Sequence, residues 1–344
     1  GKIGKNSIRP RFLDIASFPK TMKAIRVHAF GPTLNLVLEE TPTPSLGPEE
    51  ILVQIRHAGV NPVDTYIRSG AYAALPDLPY TPGHDGAGTI AAIGTAVTGW
   101  SVGERVYLAG SRSGTYAEHA VCASHQIFRL PEAASFETGA ALGIPYATAA
   151  VALFHHGNLA PSQSVLVRGA GGAVGFAAIQ LAAEAGSRPI AIAGNPAART
   201  ALASLIGTDH VIDSASDPAS IEAHVLQLTG GQGVQLLLET AAQEHLGADL
   251  RLLTQEGTAL IIGSRGTANI LPRDLMARNA SIRGVMLMRC PPNVIATAHE
   301  RISRLLNTGG LVAPVHADLP LSESARAHEM QLERGLFGKI LLTP

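Results

Sequence analysis

Cysteine is nearly absent: the 344 residues contain two, Cys122 and Cys290. Two cysteines cannot build a disulfide framework or a four-cysteine zinc site, and their scarcity suits a reducing, cytoplasmic setting. Charge of one sign is missing too. Lys and Arg total 26 against 27 Asp and Glu, with no run of like sign, which removes electrostatic support for a nucleic-acid or membrane-surface partner. No apolar stretch approaches the roughly 20 residues needed to cross a bilayer. Internal repeats and low-complexity segments are lacking as well. What is present is a 46% hydrophobic composition and a mean hydropathy of +0.19, which fit a well-packed chain. At this length two domains are expected.

Residues 1–21 mix basic, polar and apolar residues without periodicity, and Met22-Lys23-Ala24 reads like a natural start. The segment is set aside as an added or mobile extension, with a presequence as the alternative. From 22 to about 145, short apolar runs at 23–28, 50–57, 88–93, 105–109 and 117–123 are separated by Pro and Gly, the pattern of a small β-barrel-like domain. The texture then changes. A helix is expected over 147–154, a buried strand over 164–168 and an Ala-rich helix over 176–185, closed by Gly186. Strands near 189–193, 210–213, 235–238 and 258–262 alternate with helices opened by Pro196 and by Asp217-Pro218, and with one near 245–253. Such alternation implies a parallel sheet covered on both faces. Beyond Gly284 the pattern is mixed again: a helix near 293–307, a strand at 312–317, a helix near 321–334 and a closing strand at 339–342. The expected fold class is therefore α/β. A β-rich domain, 22–146 and 285–344, is split in sequence by a doubly wound parallel-sheet domain, 147–284.

Between the strand at 164–168 and the helix after it lies Gly169-Ala170-Gly171-Gly172-Ala173-Val174-Gly175. Glycines permit a tight turn and let backbone N–H groups approach a pyrophosphate, while the helix N-terminus adds partial positive charge. Within a complete βαβ unit this marks a dinucleotide site. An NAD enzyme would carry Asp or Glu at the end of the second strand to bind the adenosine ribose. Here that strand ends in Gly194-Asn195, and no acidic residue occurs between Glu184 and Asp209. Arg199, on the following helix, is placed to reach back to a 2′-phosphate, so NADPH is the expected cofactor.

The segment Gly59-Val60-Asn61-Pro62-Val63-Asp64-Thr65-Tyr66-Ile67-Arg68-Ser69-Gly70 resembles the quinone oxidoreductase, or zeta-crystallin, branch of the medium-chain dehydrogenase/reductases. Pro79-Tyr80-Thr81-Pro82-Gly83, Gly114-Thr115-Tyr116-Ala117-Glu118, Gly143-Ile144-Pro145-Tyr146 and Gly263-Ser264-Arg265-Gly266 are similar to the same branch. The resemblance runs from Met22 to the C-terminus. It implies a GroES-like catalytic domain, a Rossmann domain binding NADPH, and homodimers in which a strand near 281–286 pairs across a two-fold axis. It also implies that Asn61, Asp64 and Tyr66 line the cleft between domains. Asn61 and the Tyr66 hydroxyl would hold a substrate oxygen or the nicotinamide ribose, and Asp64 would orient them. Thr148 would contact the nicotinamide, and Gly263, Ser264 and Arg265 would contribute at a strand end.

Two positions depart from the branch: Ala173 stands where glycine is usual, and Gly83 is followed by His84-Asp85 where zinc-containing relatives commonly have His-Glu. Those relatives carry a cysteine at the position matching Asn61 and another ligand near Ile144. Neither residue is a good ligand here, so no metal is expected and His84 is read as a packed or hydrogen-bonding histidine. Without a Lewis acid the acceptor must already be electrophilic, which points to a quinone. An alkene reductase acting on α,β-unsaturated carbonyls is the alternative, and a non-catalytic NADPH-binding crystallin-like or RNA-binding protein is a third.

Overall fold

The computed structural model describes residues 19–344. Of the extension expected over 1–21, residues 1–18 lie outside the described residues. Thr21 does not belong to it: this β-branched residue opens the strand Thr21–Arg26, which pairs antiparallel with Val37–Pro42.

Six strands form an all-parallel sheet in the spatial order Val211–Asp213, Arg188–Ala193, Ser164–Arg168, Val234–Glu239, Leu253–Ile261, Ser281–Gly284. The chain winds outward in one direction, returns to the centre and winds outward in the other. The reversal falls between Ser164–Arg168 and Val234–Glu239, and ligands of such sheets bind beyond the strand ends at that point. Helices cover both faces, which explains the continuous apolar runs of the central strands. Val165 and Val167 pack with Phe176, Ile179 and Leu238, while Leu166 turns to the other face with Ile190, Ile212 and Leu237.

The second sheet draws on both ends of the chain. Its order is Val315–Pro320, Lys339–Thr343, Glu50–Val60, Asp85–Ile93, Arg105–Ala109, Ile127–Arg129, with His119–Ala123 also paired to Glu50–Val60. Ile51, Val53, Ile55, Tyr116, Cys122 and Ile340 share its core. The closing strand docks on the long one through Ile340 opposite Val60 and Leu341 opposite Gly59. The α/β architecture expected from the sequence, a split β-rich part and a doubly wound parallel part, is the one the chain adopts.

Several boundaries differ from expectation. The helix expected at 147 starts earlier, as Gly143–Ala150, and continues as a π-helix over Val151–His156. The expected division at 146/147 therefore falls inside a helix. Pro145 did not stop it because it sits in the first turn, where no N–H is needed for helix bonding. The Ala-rich helix starts at Ala173, since Gly175 is helical rather than part of the turn. The helix expected over 245–253 is Ala242–Asp249 followed by a 3-10 turn at Leu250–Leu252. The last helix shortens to Ser324–Met330. Strand Val37–Pro42, with Glu39 and Glu40, and helix Pro62–Ser69 were not anticipated as elements.

At the switch point Arg168 makes a two-pronged pair with Asp249, NH2 to Oδ1 at 2.5 Å and Nε to Oδ2 at 2.8 Å, with side chains 7% and 3% exposed. Glu239 lies fully buried beside them, its carboxyl oxygen 4.0 Å from Arg168 Nε. Burial, and then the neighbouring Asp249 carboxylate, push the Glu239 pKa well above the usual carboxylate range. Arg168→Met would leave Asp249 buried without its cation. We expect a loss of about 3–5 kcal/mol in unfolding free energy, read by urea denaturation; a loss below 1 kcal/mol would show that the pair does not hold the sheet ends together.

Candidate active site

Strand Ser164–Arg168 ends at Gly169, whose φ of +74° turns the chain. Gly172 then caps helix Ala173–Glu184 in extended backbone. A Cβ at Gly175 would lie 2.3 Å from the Gly169 carbonyl oxygen, so only glycine lets the helix start this close to the strand. The first-turn amides of Ala173, Val174 and Gly175 have no partner within the helix, and they carry its positive dipole end. Gly171 is buried, whereas Gly172, Ala173 and Val174 are partly exposed, so the turn is open to a ligand and the Ala173 methyl sits at its rim. Gly263 lies at the neighbouring strand end, held close to Thr240, with exposed Ser264 and Arg265 after it.

At the end of the second strand, Arg199 folds back as its position suggests. Its NH1 donates to the Gly194 carbonyl at 2.6 Å, and its NH2 lies 3.0 Å from Asp213 Oδ2. Asp213 stands beside Ala193 in parallel register. The second strand lacks an acid, but its neighbour supplies one, and an anion approaching Arg199 also meets Asp213. Asn195 is committed elsewhere: its Oδ1 accepts from the Ala197 and Ala198 amides as a helix cap, and its Nδ2 donates to the Gly335 carbonyl.

Helix Pro62–Ser69 explains the next group. Asn61 holds the cap position, Pro62 fills the first position, and Asp64 Oδ2 accepts the Asn61 N–H at 2.8 Å, the returning half of a capping box. That fixes Asp64 Oδ1 against His84 Nδ1, 2.7 Å away. Asp64 is 1% exposed; the His84 side chain is 27% exposed. One residue further, Asp85 is fully buried and accepts three hydrogen bonds: from Lys339 Nζ at 2.8 Å, Asn61 Nδ2 at 2.9 Å and the Ile144 N–H at 2.8 Å. Lys339 also donates to Asn61 Oδ1. Glycine at 59 leaves room for the lysine stem, since a Cβ there would lie 2.8 Å from Lys339 Cε.

This cluster is tied to the nucleotide turn. Gly338, next to Lys339, bridges Gly172, and its N–H donates to the Gly171 carbonyl at 3.3 Å. Thr148 is buried on the helix whose first-turn amide at Ile144 binds Asp85. The Tyr66 hydroxyl accepts from Arg265 Nε at 3.3 Å, joining the capped helix to the strand end of the parallel sheet. The structure thus brings Tyr66 and Arg265 together, and Asn61 and Asp64 with His84, Asp85 and Lys339. One expectation changes. The Asn61 amide is 2% exposed and engaged at both ends, so it holds Asp85 and Lys339 in place rather than reaching for a substrate oxygen. Asp85, Lys339 and Asp213 were missed in the sequence, because each acquires its partner only through strand pairing.

Burial works to raise the Asp64 pKa, but the hydrogen bond and charge of His84 outweigh it, and the carboxyl is held below its usual range. Burial likewise works to lower the His84 pKa. The Asp64 hydrogen bond and charge, with Asp85 behind them, overcome burial and the opposing Lys339, so the net direction is upward. Behind Asp64, the Tyr116 hydroxyl stands 3.4 Å from its Oδ2 and 3.2 Å from His328 Nε2. Burial pushes His328 down to about 4, leaving it neutral. His84 and Asp64 also line a cavity of about 640 Å³, together with Arg26, Tyr80, Pro82 and Arg112. Among the described residues, no group of three or more His, Cys, Asp or Glu is placed to hold a metal ion. Beside His84 stand Asn61 and Ile144, which offer no good ligand, and Asp85 is taken up by its inner donors, so this donor set does not fit zinc.

Two family models match the chain: an alcohol dehydrogenase GroES-like domain over residues 47–132 and a zinc-binding dehydrogenase over residues 173–304. The quinone oxidoreductase of Homo sapiens is 36% identical over 330 residues, covering 95% of this chain and 99% of the human one. That of Mus musculus is 38% identical over 337 residues, with 95% and 99% covered. The chain belongs to the quinone oxidoreductase branch of the medium-chain dehydrogenase/reductases. Among solved structures, mycobacterial Rv1454c complexed with NADPH aligns at a TM-score of 0.83 and 28% identity, covering 94% of this chain and 100% of that one. Membership in this branch makes the protein an oxidoreductase with a GroES-like part and a Rossmann part. Among the described residues no helix is long and apolar enough to cross a membrane.

Proposed function

We propose that this quinone oxidoreductase relative is an NADPH:quinone oxidoreductase that works without zinc. The observation that carries the reading is the tie between the open glycine turn and the buried cluster of Asn61, Asp85 and Lys339 through Gly338. It joins a pyrophosphate cradle to the elements that bear Tyr66 and Thr148. When bound, the nicotinamide supplies the reducing equivalents. Ala173, Val174 and Gly175 present amides to the pyrophosphate beside the Gly172 cap, and Arg199 presents its guanidinium to the 2′-phosphate. Thr148 borders the nicotinamide. Tyr66, braced by Arg265, aims its hydroxyl at the ribose or the acceptor oxygen, where it stabilises developing charge. With no Lewis acid to polarise a plain ketone, the acceptor has to be electron-poor, and a quinone meets that condition.

A homodimer and a cytoplasmic setting belong to the same reading. Strand Ser281–Gly284 is the edge of the parallel sheet, with Met286 and Met288 nearby, 49% and 47% exposed. Pairing with a second copy covers such an edge. The two free cysteines suit a reducing compartment.

Two measurements test the proposal. In steady-state NADPH oxidation, quinones are expected to show kcat/KM at least tenfold above enals; consistent preference for enals would make the protein an alkene reductase instead. In nucleotide titrations, Arg199→Ala should weaken NADPH about tenfold or more while leaving NADH little changed. Asp213→Asn, by releasing Arg199, should move the ratio toward NADPH. Equal losses for both nucleotides would remove the phosphate role of Arg199.

A further inference from the structure

We propose that Asp213 is a specificity residue that lets the same site take NADH as well as NADPH, by accepting the hydroxyls of an unphosphorylated adenosine ribose. The inference rests on the reading above that a nicotinamide dinucleotide lies on the glycine turn. Where such sites prefer NAD, the carboxylate that binds the ribose ends the second strand of the sheet. Strand Arg188–Ala193 ends without one, but Asp213 ends the strand beside it, opposite Ala193 in parallel register. Neighbouring strands lie about 4.8 Å apart, and the Asp213 side chain leans across that gap. Its Oδ2 stands 3.0 Å from Arg199 NH2, on the guanidinium whose NH1 is bonded to the Gly194 carbonyl. A carboxylate therefore sits at the end of the second strand although the chain delivers it from the third.

The packing puts this pair at the adenosine end of the groove. The helix that carries Arg199 lies against the glycine turn, since a Cβ at Gly171 would be 3.0 Å from the Ala198 Cβ and 3.8 Å from that of Ala193. Between the two strand ends Gly194 is exposed, and a Cβ there would lie 2.8 Å from Ser214 Oγ, so glycine keeps the gap open. The pair itself is reachable, with side chains 27% and 40% exposed.

Both partners have hydrogen-bonding capacity left for a ligand. Asp213 Oδ1 accepts the Ala215 N–H at 2.9 Å and Oδ2 faces Arg199, so each oxygen keeps a lone pair for a hydroxyl. Arg199 spends NH1 on the Gly194 carbonyl and NH2 on Asp213, which leaves its Nε–H and a second NH2 hydrogen for a phosphate. The two cofactors then use opposite halves of one ion pair. A 2′-phosphate takes the guanidinium and is repelled by Asp213. A free diol donates to the carboxylate and meets no like charge. An exposed pair of this kind adds little to the stability of the fold, and an arginine kept for phosphate alone would be weakened by it. The consequence is modest discrimination, with NADH bound within about tenfold of NADPH.

The test reads binding alone, by calorimetric titration with NADPH and NADH and with the adenosine halves adenosine 2′,5′-bisphosphate and 5′-AMP. Asp213→Ala should weaken NADH and 5′-AMP about tenfold and tighten both phosphorylated ligands, which also shows that the variant is folded. The penalty for 2′-deoxy-NADH in the parent should shrink in Asp213→Ala. A wider gap between the two cofactors in the parent would overturn the assignment. So would unchanged or tighter NADH binding in Asp213→Ala, which would leave the carboxylate as a damper on Arg199. Equal losses for NADH and NADPH would overturn it as well, because Asp213 would then only shape the strand end. If the titrations come out as expected while neither nucleotide reduces any quinone, the role of Asp213 stands and the quinone-reductase reading fails.

Discussion

The interaction on which the rest depends is the buried pair of Lys339 and Asp85. Both are almost wholly out of water, at 2% and 0% exposure, and ions in that position stabilise a fold only when their remaining hydrogen-bonding capacity is filled. Here it is filled. Asp85 receives three donors, and Lys339 has a second acceptor in Asn61. The three donors come from the closing strand, the cap of helix Pro62–Ser69 and the first turn of helix Gly143–Ala150. One carboxylate thus fixes the elements that bear Asp64 and Tyr66, Thr148, and the Gly338 contact to the nucleotide turn.

The two acid–base pairs differ in the exposure of their basic partners. Lys339 is buried with Asp85, and their work is to hold elements in register. His84, on an equally buried Asp64, keeps its ring 27% exposed and borders a cavity. Adjacent positions, 84 and 85, therefore face different surroundings. Behind Asp64 stand Tyr116 and His328, and the largest favourable influence on the carboxylate is the His84 hydrogen bond and charge.

What could be read from the sequence was what lies close along the chain. The glycine turn, the strand before it and the helix after it form one continuous segment, and the structure builds them as expected, apart from the helix starting at Ala173. The backward reach of Arg199 is likewise local. What was hidden depends on partners brought in by sheet pairing. Asp213 meets Arg199 only because their strands lie side by side, and Lys339 meets Asn61 from 278 residues away. Asn61 therefore looked available to a substrate when its amide is fully engaged. His84, read as a packed or hydrogen-bonding histidine, is hydrogen-bonded, but its carboxylate partner is not visible until helix Pro62–Ser69 is placed. Helix starts were misjudged where Pro145 and Gly175 resembled breaks, though both occupy first-turn positions that tolerate them.

The central claim is that one bound dinucleotide runs from the glycine turn to Thr148 and Tyr66, on elements held together by the closing strand. A crystal structure of the protein with NADPH tests this most directly. The account predicts the pyrophosphate on the amides that start helix Ala173–Glu184, the 2′-phosphate at Arg199, and the nicotinamide beside Thr148 and Tyr66. A nucleotide seated away from that turn, or a nicotinamide turned from Thr148 and Tyr66, would contradict it.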